Sequence, residues 1–170
     1  VAYMVCNFSS PVDGKPALFT HDEVVTLFHE FGHGLHHMLT KIEAGGVSGI
    51  NGVAWDAVEL PSQFLENWCW QPDALSFISG HFETGEALPS ELLEKMLAAK
   101  NYQSAMQMVR QLEFSLFDFT LHQQSNAEKS VQQILDEIRQ EVAVVIPPAF
   151  NKFQNSFGHI FAGGYAAGYY

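Results

Sequence analysis

The feature that most constrains this chain is His29-Glu30-Phe31-Gly32-His33, an H-E-x-x-H pattern set inside a run of helical periodicity. On a helix, positions i and i+4 stand one above the other, so both imidazoles can reach one ion while Glu30 sits about 100° further round the axis. The flanking residues supply that helix. From Thr20 the segment HDEVVTLFHEFGHGLHHML carries acids in its first turn and places Val24, Leu27, Phe28, Phe31 and Leu35 at helical spacings. A helix is predicted over 21–40 despite Gly32 and Gly34. Three fixed letters can match by chance, but an amphipathic helix is the context that metal chemistry needs. His29 and His33 are therefore read as ligands of one zinc ion, with Glu30 as the general base for a water whose pKa zinc lowers from 15.7 towards ~7.

A catalytic zinc normally has a third protein ligand. The extended pattern H-E-x-x-H-x-x-G-x-x-H needs glycine at 36 and histidine at 39, where this chain has His36 and Leu39, so that subclass is excluded. The carboxylates of Glu43, Glu59 and Glu66 remain. Glu43 lies just past the same helix and would require an immediate reversal of the chain. Glu59 and Glu66 follow a loop marked by Gly45, Gly46, Gly49 and Gly52, on a second helical stretch, and are favoured. His36 shares the metal face and is a rival ligand; His37 reads as surface or core.

Elsewhere, Tyr3 to Phe8 is a short β-prone run ended by Asp13-Gly14, which predicts a strand with a hairpin-like loop. WDAVELPSQFLENWCW predicts a helix near 55–70, with Pro61 in its first turn. Further helices are expected over ELLEKMLAAK behind Ser90, from about 103 to 124, and from about 127 to 145, where Pro147-Pro148 stops the pattern. A short helical patch around 150–157 leads into GHIFAGGYAAGYY, read as a mobile loop. The expected fold is mainly α, a helical catalytic core with one short β element, and residues 1–170 are read as a single domain.

The composition excludes several function classes. Hydrophobic residues at 47% against 16% charged argue for a packed core, and a net charge of −11 without a basic cluster argues against a nucleic-acid partner. No apolar run approaches the ~20 residues that span a bilayer, so no membrane role is expected. Cys6 and Cys69 stand apart and outside any C-x-x-C pattern, which fits a reducing, cytoplasmic location. The start Val1-Ala2-Tyr3-Met4 lacks the features of a signal peptide and reads as the edge of an excised piece.

Taken together, HEFGHGLHHMLT, GINGVAWDAVELPSQFLENW and FGHIFAGGYAAGYY resemble the thimet oligopeptidase family over essentially the whole chain, most closely its bacterial oligopeptidase branch. The resemblance implies a zincin-like core within a larger, two-lobed helical peptidase, one zinc per chain, and Glu59 as the third ligand. Glu66, two turns along the same face, could then hydrogen-bond a ligand histidine. It also implies that the Gly-rich tail closes over bound peptide, with His159, Tyr165 and Tyr169 contacting substrate and the developing oxyanion. The implied activity is cleavage of short oligopeptides by an endopeptidase. The alternatives are a peptidyl-dipeptidase of the same family and, for the isolated piece, a zinc-binding domain without activity. The family's proteins are several times longer, so the parent is expected to be monomeric and this piece to self-associate through surfaces that normally meet the absent parts.

Overall fold

The computed structural model describes residues 1–124 and 129–169. It is mainly helical, with six α-helices among the described residues, and the chain divides into two compact units, Val1–Ala99 and Lys100–Tyr170. Among the described residues, no helix is long and apolar enough to cross a membrane.

In the first unit, α1 (His21–Met38) starts at a capping box. Thr20 Oγ1 accepts the Glu23 backbone N–H at 3.2 Å, and the Glu23 carboxylate accepts the Thr20 N–H at 2.7 Å. Such a cap contributes about 1 kcal/mol. The same carboxylate accepts the backbone N–H and hydroxyl of Ser9 at 2.9 and 3.0 Å, tying the N-terminal segment to the helix. The amides of Thr20 and then Ser9 hold the Glu23 carboxyl below the usual range. After two 3₁₀ turns, Gly45–Val47 and Gly49–Gly52, the chain forms α2 (Leu60–Glu66), which continues as a 3₁₀ segment over Asn67–Trp70. Then come α3 (Pro72–Ile78) and α4 (Ser90–Ala99). Cys69 is fully buried, and burial pushes its thiol up from the ordinary value.

Three expectations fail in this unit. Residues 3–8 form no strand, because a strand needs a neighbour to take up its N–H and C=O groups. The turn signal beside them does hold: Val12 bridges Lys15 around Asp13 and Gly14, both at positive φ. The second helix is shorter than 55–70, because Pro61 has no N–H and its ring crowds the carbonyl four residues back, which confines it to a first turn. Finally, α3 was not anticipated; Pro72 opens it by the same first-turn preference.

The second unit is built on α5 (Ser104–Gln123) and α6 (Val131–Val142), the latter capped by Ser130 and Gln133. The start expected near 127 falls partly outside the described residues. Phe117, Ile134, Leu135, Ile138, Phe157 and Ile160 form the core. Arg139, itself buried, donates from Nε to Glu113 Oε1 at 2.9 Å, and Arg110 Nη1 lies 2.6 Å from the other Glu113 oxygen. Two cations thus compensate one buried carboxylate. The patch expected at 150–157 is a single 3₁₀ turn, Phe153–Asn155.

The tail is not the unanchored loop that its glycines suggest. Ile160 is fully buried in the core, and Tyr169 packs its ring edge-on against Phe157 at 4.8 Å. Its backbone is also held: Asp118 of α5 accepts the N–H groups of Ala167 and Tyr169 at 2.9 and 3.0 Å.

Candidate metal centre

The site begins with a glycine. Gly32 is buried on α1, and a Cβ built there would lie 2.5 Å from Ser62 Cα and 2.6 Å from Pro61 O, far inside van der Waals contact. With no side chain at 32, the backbone of α1 touches the first turn of α2 directly. That approach brings Glu59, the residue before α2, against the face of α1 that carries the two histidines.

Glu59 Oε2 lies 3.2 Å from His29 Nε2 and 3.0 Å from His33 Nε2. Among the described residues these three form the one group of His, Cys, Asp or Glu able to hold a metal ion, their donor atoms all within 4.8 Å of one another. Tetrahedral coordination at 2.0–2.1 Å requires donors about 3.3 Å apart, close to the two His–Glu separations. The proton inventory points the same way. His29 Nδ1 lies 2.7 Å from Glu66 Oε1, and a carboxylate only accepts, so Nδ1 carries the hydrogen. In neutral His29 the Nε2 lone pair then faces a carboxylate oxygen. Two electron-rich atoms at that distance are stable when a cation lies between them, so the residues fit a zinc ion.

The neighbours sort the remaining candidates. Glu66 holds His29 from behind, which fixes tautomer and ring orientation. Ser62 is fully buried, with Oγ 2.8 Å from both Glu59 Oε2 and the Glu59 carbonyl, so its one proton is shared between the oxygen that faces the two histidines and the backbone. His36 is not in the group; it faces an apolar cavity of about 580 Å³ with Leu35, Leu39, Ile42 and Phe64. None of His29, His33 and Glu59 lines that cavity, whose walls offer packing area and little chemistry. Glu43 is exposed beyond the end of α1. Glu30 is half-buried and follows His29 on α1, where helical geometry rotates it by about 100°.

His159, Tyr165 and Tyr169 all belong to the second unit and come together there. His159 lies in the 3₁₀ turn Gly158–Ile160, with ring centroids 6.4 Å from Tyr165 and 5.9 Å from Tyr169, and the two tyrosines are 6.4 Å apart. Sequence reasoning missed Ser62, the helix contact at Gly32 and the Asp118 anchor. Ser62 lies one helical turn after Glu59, a spacing that could have flagged it. No signal marks Asp118, one acid among several.

Comparison with known proteins places the chain in a family. The model of "Peptidase family M3" matches residues 1–170. Oligopeptidase A of Salmonella typhimurium and that of Escherichia coli are each 69% identical to it over the whole chain, which covers 25% of each relative. Dipeptidyl carboxypeptidase of Salmonella typhimurium is 39% identical over the same span, again 25% of the relative. The chain thus spans about a quarter of the length of the curated relatives it matches. With a family model matching every residue and close relatives sharing two-thirds of its positions, the chain belongs to peptidase family M3.

Proposed function

We propose that this chain is the catalytic core of a zinc-dependent endopeptidase that hydrolyses short oligopeptides, and that the parent protein works as a cytoplasmic monomer. The observation that carries the reading is the convergence of His29 Nε2 and His33 Nε2 on Glu59 Oε2, with the other His29 nitrogen committed to Glu66. His29, His33 and Glu59 hold one zinc ion per chain. Bound there, zinc supplies Lewis acidity towards a peptide carbonyl and towards water. Glu30 accepts the proton released as water attacks and passes it to the departing amine nitrogen. Glu66 keeps the proton on His29 Nδ1, so Nε2 stays available as a donor of electrons. His159, Tyr165 and Tyr169 offer N–H and O–H groups that steady the substrate and the charge growing on its carbonyl oxygen. Nucleic acid and membrane are not partners in this scheme.

The test uses the full-length protein and a quenched fluorescent peptide. Activity should vanish with a chelator and return with zinc. A peptide with a blocked C-terminus should still be cut. The similarity to a dipeptidyl carboxypeptidase favours a second reading, removal of C-terminal dipeptides, for which the blocked peptide would stay intact.

A further inference from the structure

Asp118 is 1% exposed on α5, and among the described residues its carboxylate pairs with His122 rather than with a lysine or arginine. Oδ1 accepts the Ala167 N–H at 2.9 Å and Oδ2 accepts the Tyr169 N–H at 3.0 Å; these donors lie 49 and 51 residues along the chain. His122 completes the set, with Nδ1 2.8 Å from Oδ1 and 2.9 Å from the Asp118 carbonyl. A carboxylate removed from water is stable only when its oxygens are satisfied, and here backbone amides of the tail do most of that. The clasped segment is also strained. Ala167 has φ +54°, a left-handed conformation that residues with a Cβ adopt at a cost, and Gly168 N–H closes the turn onto the Tyr165 carbonyl at 2.9 Å. A strained turn persists where its surroundings over-determine it, and the Asp118 bond falls on the strained residue itself.

We propose that Asp118 is a positioning residue for the peptidase reaction: its buried carboxylate clasps the backbone between Tyr165 and Tyr169 so that both phenols are presented in one arrangement. The turn has one tyrosine at each end. Its far end is fixed twice, by the Tyr169 amide on Asp118 and by the Tyr169 ring against Phe157 and Phe114. The near end is fixed through the Gly168 bond back to Tyr165. The proposal rests on the reading of Tyr165 and Tyr169 as groups that reach the substrate.

The experiment is Asp118→Asn in the full-length protein, read by amide hydrogen exchange and by steady-state kinetics. The carboxamide keeps the shape but turns one acceptor into a donor, so only one tail amide can stay bonded. Exchange at whichever of Ala167 and Tyr169 loses its acceptor should quicken at least about tenfold while amides of α6 keep their rates. kcat should fall about ten- to a hundredfold with KM nearly unmoved and zinc content unchanged, as for misplaced transition-state groups. His122→Gln leaves both tail amides on Asp118 and should keep kcat. Wild-type kcat in Asp118→Asn, or faster exchange spread equally through α6, would overturn the proposal. So would a wild-type protein whose Ala167 and Tyr169 amides exchange at the unprotected rate, a result that stands even if the variant does not fold. Full kcat in both Tyr165→Phe and Tyr169→Phe would instead defeat the underlying reading of the tail, while the exchange pattern of the clasp survived.

Discussion

Glu59 and Glu66 carry the same side chain seven residues apart, and their surroundings give them different work. One presents an oxygen to two Nε2 atoms; the other accepts a hydrogen bond from His29 Nδ1. Ser62 maintains the difference, since among the described residues its hydroxyl reaches the Glu59 oxygen that faces the histidines and the carbonyl of the same residue. Ser62→Ala should weaken zinc binding about ten- to a hundredfold, measured by competition with a chelator, and leave the fold intact because the hydroxyl fills little volume. An unchanged zinc affinity would mean that backbone packing alone aims Glu59. The spacing of His29, Glu30 and His33 was legible in the sequence because a helix converts it directly into geometry. Chain direction set Glu43 aside and left Glu59 and Glu66, and only a family resemblance singled out Glu59. Ser62 offered only its one-turn spacing from Glu59 as a sign, since its burial exists only once two helices meet.

At the scale of elements, Gly32 and Gly34 look alike in the sequence, two glycines weakening one helix. The structure separates them. A Cβ at 32 would strike the backbone of Pro61 and Ser62 within 2.6 Å, while at 34 its nearest neighbour is the flexible end of Met38 at 4.0 Å. Gly32→Ala should therefore push α2 away, costing about 1–3 kcal/mol and loosening zinc binding with it. Gly34→Ala should be tolerated or stabilise the helix by up to about 1 kcal/mol. Chemical denaturation of both variants decides this, and equal effects would show that α1 and α2 do not meet as described. The element pattern explains what could be read. For α1 and α5 the observed spans, His21–Met38 and Ser104–Gln123, fall within two residues of the expected ends, because long amphipathic periods are local signals. The strand at 3–8 failed because pairing is a non-local property. α3 was missed because a seven-residue helix carries too few periods to stand out.

Over the whole molecule, the fold rests on separate devices in each unit. In the second unit, Arg139→Met should leave buried Glu113 with Arg110 as its remaining cation and cost about 3 kcal/mol or more, seen as a lower urea midpoint. A loss below about 0.5 kcal/mol would mean that Arg110 alone compensates the charge. The fold class was legible because helical periodicity dominates the chain. The anchoring of the Gly-rich tail was not, because one aspartate and two backbone amides leave no pattern in composition. The central claim concerns the first unit, that Glu59 holds the metal while Glu30 moves the proton. Zinc content of purified full-length variants, measured by elemental analysis beside turnover, tests it most directly. Glu30→Gln should retain about one zinc per chain with turnover lower by orders of magnitude, and Glu59→Ala should lose the metal and recover activity in part when excess zinc is supplied. Tight zinc retention in Glu59→Ala, with loss of zinc in His36→Ala, would contradict the account.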